Sequence, residues 1–88
     1  MNKKVIKLFK EEWFSVDQDL DTQKYYLSIP VFNGYAQYDE DYELLPDEFE
    51  ALMKNEAALR ALVQKCRDRK NDARLRLKPG RIRGYPLT

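Results

Sequence analysis

Two alternating runs joined by Asn33-Gly34 constrain this chain more than any other feature. In KYYLSIPVF, residues 24–32, Tyr25, Leu27, Ile29 and Val31 share one face, and Lys24, Tyr26, Ser28 and Pro30 share the other. A period of two carried by β-branched and aromatic residues marks a strand. YAQYDEDYEL, residues 35–44, alternates in the same way. Ala36, Tyr38, Tyr42 and Leu44 fall on an inward face that Glu40 interrupts; Tyr35, Gln37, Asp39, Asp41 and Glu43 fall on an outward one. Asn-Gly between two such runs predicts an antiparallel hairpin. Pro30 cannot donate to a ladder, which predicts an edge position or a bulge beside it.

The period then changes from two to 3.6. Pro46 suits the first position of a helix, and Asp47 and Glu48 follow in the first turn, where the helix dipole favours anions. Phe49, Leu52 and Met53 form the buried stripe of a helix over 46–54. Asn55 is an N-cap that restarts the helix, and Leu59, Leu62, Val63 and Cys66 repeat at i, i+3, i+4, i+7 over 56–68. ARLRLK at 73–78 alternates again, with Ala73, Leu75 and Leu77 in and Arg74, Arg76 and Lys78 out; it predicts a third strand, ended by Pro79-Gly80. VIKLFKEEWF, near the N-terminus, fits a short helix with Val5, Leu8 and Phe9 on one side, or a strand; the helix is preferred. The expected architecture is α+β, a small antiparallel sheet of about three strands packed against two or three helices, in the order (α)ββααβ. At 88 residues the chain is expected to be one domain, 1–88.

Charge is segregated along the chain. Residues 1–10 carry four lysines, residues 11–50 carry twelve carboxylates against Lys24, and residues 51–88 carry eleven Lys/Arg against Glu56, Asp68 and Asp72. The net charge of +1 hides this separation, which is of the kind that steers a charged partner. Cys66 is the only cysteine. A lone thiol suits a reducing compartment, the basic N-terminus lacks the apolar core of a signal peptide, and no stretch reaches the roughly 20 apolar residues that span a bilayer. A cytoplasmic protein without a membrane partner is expected.

Catalytic chemistry finds little support. The chain has no histidine, the commonest general base. Cys66 sits on an apolar stripe, Ser15 and Ser28 lie in no nucleophile elbow, and three glycines build no phosphate loop. Asp17, Asp19 and Asp21 have the spacing that opens a calcium loop, but Thr22 and Ser28 stand where such a loop needs Gly and Glu. A carboxylate pair for glycoside hydrolysis would need a sugar cleft that a chain this short has little room to build. No enzymatic activity, metal or cofactor is expected.

The acidic, tyrosine-rich strand suggests a protein surface instead. Tyrosine is enriched at interface hot spots, and carboxylates repel nucleic acid while attracting the basic surface of a protein that binds it. Tyr26, Tyr35, Gln37, Asp39, Asp41 and Glu43 are therefore the candidate partner-binding face, helped by Asp17, Asp19 and Asp21 and by Asp47 and Glu48. Two alternatives stand beside it. Acidic outward residues can simply keep an edge strand soluble. Arg74, Arg76, Lys78, Arg81 and Arg83 can bind nucleic acid as an accessory protein would; or, if 73–78 lies beside 35–44, Arg74, Arg76 and Lys78 can pair with Asp39, Asp41 and Glu43 across strands.

KYYLSIPVFNGYAQYDEDYELLPDEFEAL, the helix ending LVQKCRDRK, and LRLKPGRIRGYP together resemble the small immunity proteins of bacterial polymorphic-toxin and contact-dependent growth inhibition systems, over about residues 24–86. The resemblance implies a cytoplasmic, non-enzymatic domain that binds one cognate toxin C-terminal domain, often a nuclease, and blocks its basic active-site cleft; nucleic acid itself is not the expected partner. Interface residues differ from pair to pair in such systems, so no family binding residue carries over. On this reading Asp39→Lys combined with Asp41→Lys should slow association with the toxin and weaken protection while leaving the fold intact. Stopped-flow association kinetics would check it, and unchanged affinity would rule out the face.

Overall fold

The computed structural model describes residues 2–77 and 83–86. Four strands run as an antiparallel meander, β1 (Lys3–Phe9), β2 (Phe14–Asp19), β3 (Tyr25–Phe32) and β4 (Gln37–Leu44). Two helices follow, α1 (Pro46–Met53) and α2 (Glu56–Arg67), and a two-residue strand β5 (Tyr85–Pro86) returns to pair with β3. The fold is α+β with a five-stranded antiparallel sheet and two helices. The expected three strands undercount it, and the order is ββββααβ.

The predicted β3–β4 hairpin forms, with Tyr25 opposite Leu44 and Phe32 opposite Gln37, but Tyr35 and Ala36, expected in the returning strand, belong to its turn. Residues 33–36 close it. The Asn33 side-chain oxygen accepts from the amides of Tyr35 and Ala36 at 2.9 Å each, and Gly34 takes φ +90, a local turn that Asn and Gly adopt at little cost. Pro30 lies inside the sheet, opposite Asp39. Its other flank is locally an edge: β2 pairs with β3 only as far as Ser28, and β5 begins at Val31.

Residues 1–22 depart from expectation. The preferred N-terminal helix is a hairpin of β1 and β2, reversing through a 3₁₀ turn at Lys10–Glu12. A bulge between Val5 and Lys7 shifts the register. Val5 then pairs with Asp17 and Leu8 with Ser15, so two apolar residues three apart share one face of a strand. That spacing is the helical one, and the bulge is why the segment imitates a helix.

One face of the sheet carries the core. Phe14, Val16, Leu27, Ile29, Tyr42 and Leu44 pack under Leu52 of α1 and under Leu59, Val63 and Cys66 of α2, all buried. Phe9 stacks on Phe14 at 4.3 Å between centroids, and Tyr25 stacks on Phe49 at 3.8 Å. The helix starts are as the sequence implies. Pro46 opens α1 while Glu48 accepts from the Leu45 amide at 3.3 Å, and Asn55 accepts from the Ala58 amide at 3.1 Å. Cys66 is buried in the stripe, and that burial pushes its thiol pKa up, as a core role requires. None of the helices among the described residues is long and apolar enough to cross a membrane.

The third strand expected at 73–78 is reduced to a 3₁₀ turn at Asp72–Arg74, one bridge from Leu75 to Tyr42, and the Arg76 amide donating to the Asp41 carbonyl at 2.8 Å. Lys78, Pro79, Gly80 and Arg81 lie outside the described residues. Arg83 answers the Glu40 that interrupted the inward face. Its guanidinium donates to Glu40 at 2.8 and 3.1 Å, to Asp72 at 2.8 and 3.0 Å and to the Tyr42 hydroxyl at 3.4 Å. Gly84 then passes so close to β3 that an added Cβ would sit 2.8 Å from the Phe32 carbonyl carbon and oxygen. Gly84→Ala should therefore force backbone apart and destabilise by about 1–3 kcal/mol, the usual cost of overpacking. Urea denaturation would measure it, and wild-type stability would show that the β5 contact does not hold the fold.

Candidate functional site

The helices cover one face of the sheet; the other is the face on which the outward residues of the hairpin lie. Its cross-strand rows follow from the register. Val5, Asp17, Tyr26 and Glu43 form one row, and Leu8, Ser15, Ser28 and Asp41 form the next; Pro30 and Asp39 stand beyond them. This face divides into a sealed half and an open half.

Lys3 seals the first. Its side chain leaves the edge strand β1 and crosses to β4, placing Nζ 3.0 Å from Asp41, 3.3 Å from Asp17 and 3.6 Å from Asp39. It also donates to the Ser28 hydroxyl at 3.4 Å. Ser15 donates to Asp17 at 2.8 Å, and Arg76 stands 3.6 Å from Asp41. Asp17 and Asp41 are only 2% and 6% exposed, and buried charges persist when they are paired and hydrogen-bonded. Burial alone would lower the Lys3 pKa, but the Asp41 hydrogen bond and the charges of Asp41, Asp17 and Asp39 outweigh it and raise the value above 10.5.

The open half is an apolar groove of about 340 Å³, with Leu8, Trp13 and Pro30 along it, Ser15 and Ser28 at its floor and Asp39 among its lining residues. Leu8 is 63% exposed and Trp13 45%. Trp13 follows the 3₁₀ turn with φ 59 and ψ 52, the left-handed region that a bulky side chain occupies at a cost of roughly 1–2 kcal/mol. Helix α2 holds it there. Arg67 donates to the carbonyls of Glu12 and Trp13, and Arg60 makes a bidentate pair with Glu12 at 2.8 and 2.9 Å. That pair holds the Glu12 carboxyl below its ordinary value.

No protein-family model, curated protein or solved structure matches this chain. The site rests on its own geometry.

That geometry revises the partner-binding residues expected from sequence. Asp17, Asp41 and Tyr26 lie on the outward face as period two requires, but they are buried and offer no free surface, so Asp41→Lys would set a buried cation against Lys3 and Arg76 and cost the fold, leaving Asp39→Lys alone as the test of the face. Asp19 is buried too. It shapes the β2–β3 turn by accepting from the Asp21 amide at 2.9 Å and the Thr22 hydroxyl at 3.1 Å, bonds that lower its pKa. The aspartates 17–21 are thus the end of a strand and its turn, not a solvated loop. Glu48 is taken by Arg74, at 2.6 and 2.8 Å. Glu43 lies 3.5 Å from Lys24. Tyr35, Gln37, Asp39, Asp21 and Asp47 are exposed. Of these, Asp39 lines the groove, and Gln37 stands opposite the half-exposed Phe32. Tyr35 is in the hairpin turn, while Asp21 lies in the β2–β3 turn and Asp47 in the first turn of α1. Trp13, Leu8 and Pro30 were not among the expected site residues. The one available signal was a lone tryptophan in a charged stretch, KEEWF.

Lys3 gives a direct test of the sealed half. Lys3→Met should lower stability by about 3 kcal/mol, because two buried carboxylates lose their ammonium. The lysine binds its proton more tightly in the folded chain, so its contribution is complete below about pH 10.5 and is lost as pH rises through the higher folded value. The gap between wild type and variant, read by urea denaturation across pH, should close only at strongly alkaline pH. A gap that is absent at neutral pH would show that Lys3 holds nothing together.

Proposed function

We propose that this chain is a non-enzymatic binding protein that neutralises a cognate toxin domain, a nuclease on the sequence resemblance, by seating the open half of its sheet on that domain. The observation that supports it most is the groove itself. Large apolar side chains stand exposed on a rigid sheet, next to an accessible carboxylate, and one of them is a tryptophan held in a costly backbone conformation by two arginines. Tryptophan is a typical interface anchor, and backbone strain concentrates where function maintains it. An apolar cluster with a charged rim is the form of a protein-contact site. Asp39 and the exposed Tyr35 and Gln37 extend the contact, so the docking surface shifts from the centre of the acidic strand to its hairpin end. The toxin would be blocked by occlusion, its basic cleft facing Asp39.

The nucleic-acid reading loses support from the pairing of three of its five cations, Lys78 and Arg81 lying outside the described residues. Arg74 is committed to Glu48, Arg83 to Glu40 and Asp72, and Arg76 stands beside Asp41. Phosphate binding by these three arginines would require breaking these pairs.

The test is co-expression with the C-terminal domain of the large protein encoded beside this one, scoring growth and the purified complex by native mass spectrometry. Rescue with a one-to-one complex is the expected result. Trp13→Gly should abolish rescue while the chain stays folded, because glycine takes φ +59 without strain. A toxic neighbour with neither rescue nor complex would overturn the immunity reading for that pair.

A further inference from the structure

Charge on the open face does not balance. Asp17, Asp39 and Asp41 converge on Lys3, and Arg76 reaches only Asp41. Three carboxylates therefore share two ion-pair partners among the described residues. The surplus negative charge has one way out to solvent: the Asp17 and Asp41 side chains are 3% and 5% exposed, and that of Asp39 is 50% exposed. Asp39 is also the farthest of the three from Lys3 and lines the groove that holds Trp13 and Leu8. Lys10 lines the same groove from the β1–β2 turn and makes no ion pair with Asp39 among the described residues.

From this we infer that the groove is a receptor for one arginine side chain of the partner. The inference rests on the binding function proposed above and names the chemistry of the contact. The aliphatic stem would lie along Leu8 and Pro30, and the guanidinium would stack on the Trp13 ring and meet Asp39. A guanidinium suits this site better than an ammonium. It is planar, stacks on aromatic rings, forks onto a carboxylate, and sheds its hydration more readily. Ser15 donates to Asp17 and Ser28 accepts from Lys3, and the lone pairs left on both hydroxyls can accept from a guanidinium.

Trp13 is the only tryptophan, so its fluorescence reads the groove without labelling. The probe is acetyl-Leu-Arg-Leu-amide, titrated against the full chain beside the same peptide with citrulline, the neutral isostere of arginine. The arginine peptide is expected to bind about fivefold more tightly, the factor that one half-exposed ion pair and one cation–π contact carry. Asp39→Asn, a substitution at an exposed position, should erase the difference. Amide shifts in an NMR titration should centre on residues 13–15, 28–30 and 39. Equal affinity for the two peptides, absence of any binding, or a preference that survives Asp39→Asn would each overturn the inference. Failure of the wider function looks different: the arginine preference would remain, and no toxin domain would be captured on co-expression. Conversely, a toxin complex unaffected by Asp39→Asn would leave immunity standing and remove the arginine receptor.

Discussion

The reach of Lys3 across the sheet is the interaction on which the open face depends. A sheet face without helices over it has no ordinary way to bury Asp17 and Asp41, yet both are almost fully covered. A long aliphatic stem with a cation at its end solves both parts of the problem. The stem covers the neighbouring strands, and the ammonium compensates the carboxylates it covers. Because the lysine starts in β1 and ends at β4, it also fixes the position of the outermost strand relative to the hairpin, beyond what the β1–β2 ladder alone does.

The same logic operates on the other face. Glu40 points toward the helices and is buried there; Arg83, forty-three positions later, compensates it and hands the tension on to Asp72. Together with Tyr38, whose hydroxyl accepts from the Gly84 amide at 2.9 Å, this ties the C-terminal segment to the sheet. Strand β4 is thus a hub. Its alternating acids engage Arg83 on one face and Lys3 on the other, so the two ends of the chain are fastened to one strand. Much of the acid packed into YAQYDEDYEL is structural, and Asp39 is the residue this scheme leaves to solvent.

Legibility in the sequence follows from how local each feature is. The Asn33-Gly34 hairpin, the Pro46 helix start and the Asn55 cap are set by neighbours within a few positions, and they stand where the sequence puts them. Period two also assigned Asp39, Asp41 and Glu43 to the right face. Parity says nothing about whether a face is covered, and what covers it here is Lys3, at a sequence separation of 38. The N-terminal error and the site error are therefore one error. The bulge between Val5 and Lys7 gave β1 a helical spacing, and a helix there could not supply the cation that buries Asp17 and Asp41. Leu75 and Arg76 failed differently: the alternation is real, but one bridge to Tyr42 and one amide bond to Asp41 are all that β4 receives.

Rigidity is the property that joins the two halves of the open face into one site. Ordering a loop on binding costs affinity, and a contact residue already fixed in place avoids that cost. Trp13 sits on a turn, ordinarily a mobile place for an anchor, but Arg60 and Arg67 fasten that turn to the longest helix of the molecule. Asp39 sits in the β3–β4 hairpin. The turn backbone that carries Trp13 is tied to α2, and the backbone of Asp39 is held in the β3–β4 ladder, so the points from which the two side chains start are fixed. The strain at Trp13 is intelligible on these terms. A glycine would close the same turn more cheaply, so what the tryptophan adds there is a side chain presented to the groove, at a position the fold alone would fill otherwise.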